Sequence, residues 1–226
     1  MSNKVYKLEW GKEELWKGCI LASLAHAIMV AHYPDLSNEH SWDGLNYSVQ
    51  DSSGVRGTVT FSSDYVVAAF RNDHSEILDQ PNGNHAAIKY FEGAPIEVIE
   101  IAESETLEYL LEDAQGSAIP LITSSFWGKG GNCYSINSKE SLFEQGAHLL
   151  EFQLMNFEEA LESWKEYYEM SPEQSSLLVS LYNRKITHPL DVIVLSEKEI
   201  QLIGTDDEEG LEESQVSFEE LGVEWM

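Results

Sequence analysis

The stretch His40–Asp73, HSWDGLNYSVQDSSGVRGTVTFSSDYVVAAFRND, constrains the fold more than any other part of the chain. From Leu45 to Gln50 the residues alternate, with Leu45, Tyr47 and Val49 on one side and Asn46, Ser48 and Gln50 on the other. That period of two is the mark of a strand with one buried face. Asp51-Ser52-Ser53-Gly54 is turn chemistry, because Asp and Ser bond nearby backbone and Gly accepts positive φ. Arg56–Phe61 then sets Thr58 and Thr60 against Val59 and Phe61. Ser62-Ser63-Asp64 turns the chain again, and Tyr65–Phe70 is apolar on both faces, as a covered central strand must be. Two hairpins alone are marginal in water, so other elements must cover this meander.

The covering material is helical at both ends. Lys12–Ala31 carries Trp16, Ile20, Leu24, Ala27 and Ala31 at helical spacing, and Tyr33-Pro34 stops it because proline disfavours helix in the residue before it. His26, about 200° round from Leu24, is expected to face away from that stripe. Asn156 with Glu159, then Ser171 with Gln174 and Pro172 between, start two successive helices ending near Met170 and Lys185, an αα-hairpin. Between these ends the pattern gives a turn at Pro81-Asn82-Gly83-Asn84, a short helix over 86–91 and a strand over 96–101. A helix over 105–114 capped by Ser104 follows, then a strand over 119–123, a glycine-rich loop over 124–132 and a short helix after Ser138. Asp191–Leu195 and Ile200–Ile203 read as a hairpin, and Thr205–Ser214 as a mobile acidic loop. Strands first and helices in the middle is not strict β-α alternation. The expected class is α+β, a mainly antiparallel sheet built on the 45–71 meander and covered by the N-terminal helix and the αα-hairpin. One domain is expected over 1–226, with any sub-domain boundary near Gly116-Ser117.

Charge narrows the function. The 226 residues carry 40 acids against 13 Lys and Arg, a net −27, and 26 of those acids face only 6 bases in residues 101–226. Direct contact with nucleic acid or an anionic membrane would meet strong repulsion, whereas a basic protein partner would be attracted. Only Cys19 and Cys133 occur, which gives neither a disulfide framework nor a four-cysteine zinc site, and a reducing cytoplasm follows. The apolar run Cys19–Ala31 is too short to span a bilayer, and acidic residues precede it where a secretory leader needs bases.

Candidate site residues fall in two places. Arg56 and Arg71 are two of only three arginines. If Phe61 pairs with Tyr65, Arg56 faces Phe70 and Arg71 faces Val55, which puts the two guanidiniums on opposite faces. Ion pairing with nearby aspartates, including Asp73, is the simpler fate of these arginines, and His74 follows directly. The second place is the loop Ser124–Asn132, where Phe126 and Trp127 beside Gly128-Lys129-Gly130-Gly131 fit either a buried Trp with a glycine turn behind it, the simpler reading, or an aromatic binding lip on a mobile support. This loop matches neither phosphate-binding glycine motif. Histidines are scattered without H-E-x-x-H spacing, so no metal and no cofactor is expected. No serine elbow or paired carboxylate stands out. The expected function is therefore an acidic binding protein, in its sharpest form an immunity- or antitoxin-type inhibitor of a basic protein. The alternative is a hydrolase-like enzyme drawing on Arg56, Arg71, His74, Ser125 and Cys133, and a third reading is a scaffold that self-associates through its αα-hairpin.

Overall fold

The computed structural model describes residues 4–78, 86–114 and 116–226. In chain order the strands are β1 (Tyr6–Leu8), β2 (His40–Asp43), β3 (Asn46–Gln50), β4 (Val55–Phe61), β5 (Tyr65–Asn72), β6 (Leu111–Ala114), β7 (Ser117–Pro120), β8 (Ser124–Lys129), β9 (Asn132–Ser135), β10 (Ile193–Leu195) and β11 (Val223–Trp225). The helices are α1 (Lys12–Met29), α2 (Ile96–Ser104), α3 (Lys139–Glu144), α4 (Phe157–Tyr167), α5 (Pro172–Thr187), α6 (Glu197–Gln201) and α7 (Glu208–Glu220), joined in places by short 3-10 turns. The class is α+β. A seven-stranded antiparallel sheet runs in the order β1-β9-β8-β5-β4-β3-β2, beside two-stranded pairs β6-β7 and β10-β11. Among the described residues no helix is long and apolar enough to cross a membrane. The chain divides into two compact units, Met1–Leu15 with Leu45–Glu151, and Trp16–Gly44 with Phe152–Met226.

The first unit is built on the meander β3-β4-β5, extended by β8, β9 and β1. On one face Val67, Ala69 and Trp127 pack under α2 and the 3-10 turns Ala87–Phe91 and Thr106–Leu110, through Phe91, Val98, Ala102 and Leu107. Two of the meander's polar alternates, Asn46 and Thr60, lie on that same face and are satisfied there. Thr60 donates to Asn46 at 2.7 Å and shares a 2.7 Å bond with Thr106, and Asn46 donates to Glu105 at 3.0 Å. On the other face Phe70 stacks on Phe126 with centroids 6.0 Å apart, and Trp10 meets Phe126 edge-on at 5.7 Å. Gly57 lies opposite Phe70, and a Cβ there would stand 2.3 Å from the ring, so the stack requires glycine.

The second unit is helical at heart. From Ile20 to Ala31 the first helix is buried nearly all round, against Trp164 and Tyr168 of α4 and its C-cap, Leu177, Leu178 and Leu181 of α5, and Phe218 of α7. His26, expected to point outward, is only 1% exposed: a helix enclosed on all sides has no outward face to give it. Burial lowers its pKa to about 4, and burial together with the neighbouring His26 holds His40 well below the usual histidine range. The two rings lie 5.2 Å apart. Asn156 caps α4 by accepting from Glu159 N–H at 3.0 Å, and Ser171 with Gln174 forms a reciprocal capping box on α5. Helix α7 sits close on α1. A Cβ at Gly210 would lie 2.1 Å from the Ala31 carbonyl oxygen, and Ser214 donates to the Ala27 carbonyl at 2.6 Å.

Several local expectations are corrected. Ile96–Ser104 is a helix, not a strand, because Val98 and Ala102 bury one helical face and Pro95 stands at its N-cap. Ser104 therefore ends a helix instead of capping one, and 105–114 holds a 3-10 turn followed by β6. The 119–123 strand is displaced to Ser117–Pro120, where it pairs with β6. Residues 200–203 make no hairpin. Ser196 and Glu199 cap α6, and β10 pairs instead with β11, in parallel. The acidic stretch 205–214 is largely helix, capped by Asp207 and held by Gly210, Ser214 and Phe218. The turn expected at 81–84 lies outside the described residues.

Candidate functional site

The arginine pair comes from strand register. Phe61 is opposite Val66, not Tyr65, because Ser62 N–H donates to the Tyr65 carbonyl at 2.9 Å and the loop proper is only Ser63-Asp64. One residue fewer in the loop shifts the whole pairing by one. Arg56 therefore stands directly opposite Arg71, on the same face, correcting the opposite-face expectation. Two like charges across a ladder repel, and the structure answers with two carboxylates. Glu112 on β6 lies 2.6 Å from Arg71 Nη1 and in contact with Arg56 Nη2. Asp73 accepts from Arg71 Nε at 2.5 Å and lies 3.6 Å from Arg56 Nη1. The cluster is self-neutralised: two cations, two anions, and Arg71 only 12% exposed. It has no spare positive charge with which to hold an anionic ligand. His74 stands apart, its Nε2 2.6 Å from the Ser53 carbonyl.

The aromatic lip is replaced by a hairpin. Residues 124–129 form β8, paired to β5 through Trp127 opposite Val67 and to β9 through Trp127 opposite Tyr134. Phe126 is fully buried and Trp127 only 3% exposed, because β8 is an inner strand paired with β5 on one side and β9 on the other, with both of its faces covered. The glycines serve the turn and close packing: Gly130 has φ +57, and a Cβ on Gly128 would lie 2.4 Å from Cys133 Sγ. What remains at this end is a cleft of about 380 Å³ lined in part by Tyr65, Pro95, Trp127 and Tyr134. Lys129 stands at the cleft with its ammonium 4.8 Å over the Tyr65 ring.

Of the residues of the hydrolase alternative, Arg56 and Arg71 stand together, but His74 and Ser125 are each engaged elsewhere and Cys133 is buried. Ser125 is buried and its hydroxyl donates to the Tyr90 carbonyl at 2.9 Å. Burial, aided by the charge of Glu14, pushes the Cys133 thiol up to about 12, far from the thiolate a nucleophile needs. Among the described residues no hydrogen bond joins His74, Ser125 and Cys133 to one another. Nor does any group of three His, Cys, Asp or Glu gather as a metal site among them.

In the second unit, sequence reasoning missed a pocket of about 450 Å³ lined by Tyr33, Leu36, Glu166, Tyr167, Tyr168 and Glu169. The Tyr167 hydroxyl donates to Glu39 Oε1 at 3.0 Å and the Tyr168 hydroxyl to Glu39 Oε2 at 3.4 Å. Its parts come from the segment after α1 and the C-terminal end of α4, and the one local signal was the Y-Y-E run that closes α4. Basic charge is scarce elsewhere in this unit too. Arg184 is held by Glu199 at 2.8 Å, and burial lowers the pKa of Lys185. After Lys198 no Lys or Arg occurs, and Glu208, Glu209, Glu212 and Glu219 are exposed on α7.

No family model matches the chain, and no curated protein or solved structure matches it.

Proposed function

We propose that this protein is an acidic binding protein that engages a basic protein partner. One observation carries the reading: all the arginine charge is committed internally, while 40 acids against 13 bases leave a large excess of negative charge without an internal cation. All three arginines are in ion pairs with its own carboxylates. Lys12 donates to the Ser63 carbonyl at 2.7 Å, and Lys165 pairs with Glu162 at 2.7 Å. Against these stands α7, with no base in its length and an outer side of glutamates. A surface of this kind speeds encounter with a cationic partner and repels nucleic acid and anionic lipid. An inhibitor of the immunity or antitoxin type, acting in the cytoplasm on a basic toxin or enzyme, is the sharpest form of this function.

The test is capture from source-cell lysate on the immobilised protein, with an unrelated protein of matched charge as control. The expected result is one basic protein retained at low salt, shed at high salt and absent from the control. A variant carrying Glu208→Lys, Glu212→Lys and Glu219→Lys should stay folded and lose it. Identical captures on the protein and on the control would sink the reading, since charge alone would then explain the binding.

A further inference from the structure

We propose that the pocket lined by Tyr33, Tyr167, Tyr168, Glu166 and Glu169 receives the guanidinium or ammonium end of a single basic side chain on the protein partner. This rests on the binding reading above and adds the point of contact to it.

The walls favour a cation. Tyr167 and Tyr168 meet at 81° with centroids 4.7 Å apart, so the two rings form a corner. Tyr33 and Tyr167 are exposed, at 38% and 51%, and Tyr168 is buried behind them. The faces of aromatic rings carry negative quadrupole density, which attracts Arg and Lys heads. Glu39 receives both tyrosine hydroxyls, which ties the corner together and leaves its charge beside it. Glu166 and Glu169 line the pocket, and none of the lining residues is basic. An anion would be repelled here, and a neutral ligand would gain no charge attraction from the carboxylates. A bare metal ion does not suit the site either, since no metal-holding group of carboxylates exists among the described residues.

The backbone singles out one of those glutamates. Helix α4 ends in a Schellman turn: Met170 N–H donates to the Lys165 carbonyl at 3.0 Å and Glu169 N–H to that of Glu166 at 3.3 Å. The residue in the left-handed position of this turn is normally glycine. Here it is Glu169, with φ 53, the one non-glycine residue at positive φ among those described. A side chain that keeps a strained backbone where glycine would relax it is best explained by what the side chain does. Glu169 is one of the residues that line the cation pocket.

The experiment titrates the full-length protein with N-acetyl-arginine amide and N-acetyl-lysine amide. The N-acetyl-citrulline amide, neutral but of arginine's shape, is the control. Binding is followed through the NMR signals of Tyr33, Tyr167 and Tyr168. Saturable shifts at these tyrosines with the two cations, absent with citrulline and weakened by salt, are expected. Tyr167→Ala should weaken binding about tenfold or more. Because Tyr167 also packs on Trp164, Glu169→Gly is the safer variant: it should weaken binding severalfold while raising Tm by a few degrees. Equal shifts with citrulline, or cation binding unchanged in Glu169→Gly, would overturn the pocket. The two proposals fail separately. A basic partner captured equally well by Tyr167→Ala and Glu169→Gly, but lost on α7 charge reversal, removes the pocket and spares the partner. Cation shifts at the tyrosines with no basic partner captured do the reverse.

Discussion

The arginine cluster of the sheet and the tyrosine pocket of the helical unit are both concentrations of charge, yet they have opposite character. Arg56 and Arg71 are closed on themselves. Each guanidinium shares Glu112 and Asp73, and the four charges cancel. In the tyrosine pocket Glu166 and Glu169 line an open cavity with no cation among its walls. The lesson is that a rare residue type is a poor pointer to function when its partners lie within hydrogen-bond reach. Unbalanced charge beside aromatic faces is a better one.

The largest effect that separates the two regions is expected from pH. The open pocket rests on Tyr168, whose hydroxyl lies 3.4 Å from Nδ1 of the buried His26. The folded pKa of His26 is about 4, below the ordinary value of 6.5. A histidine so depressed adds stability in full above its unfolded pKa, and that contribution is lost as pH falls from about 6.5 to about 4, because only the unfolded chain takes up the proton. At 1.36 kcal/mol per unit this reaches roughly 3 kcal/mol below pH 4. Urea unfolding of the protein and of His26→Gln across this range should show the extra loss only in the former. Parallel curves would mean that the histidine carries no such linkage.

Next in size is the closed cluster. Glu112→Gln leaves two facing arginines with one carboxylate between them and should cost about 1–2 kcal/mol, less than for a fully buried pair because the cluster is partly solvated. Adding Arg56→Gln should recover much of that loss, a non-additivity that a double-mutant cycle would expose. Strict additivity would show that the four groups do not act as one. Glu169→Gly should change stability in the other direction, by about 1 kcal/mol in favour of folding, measured by the urea midpoint. Smallest of all, Lys129→Ala removes an exposed contact with Tyr65 and should cost about 0.5 kcal/mol or less.

Much of the fold was legible because its signals are local. Asn156, Ser171 and Gln174 cap helices through bonds to residues only a few positions away, so the sequence displays them whole. The meander's alternation was equally plain. The side on which Arg56 lies was not, because one residue more or fewer in the Ser62–Tyr65 turn reverses it, and both loop lengths suit the same residues. Ile96, Val98, Ile99 and Ile101 satisfy period two and period 3.6 alike, and only packing against Phe91 and Leu107 decides between them. Helix α7 was hidden because its buried face includes Gly210 and Ser214, which no hydropathy pattern marks as core. The tyrosine pocket was hidden by distance: Glu39 and Tyr167 stand 128 residues apart.

The seating of α7 on α1 has a use beyond folding. Gly210 and Ser214 bring the two backbones together with almost no side chain between them, and Glu220 at the end of α7 adds a 2.8 Å bond from Trp42 N–H. Its solvent side takes little part in that attachment and is free to vary. An engineer could rewrite Glu208, Glu212, Gln215 and Glu219 as a graft for another recognition helix and expect the scaffold to persist.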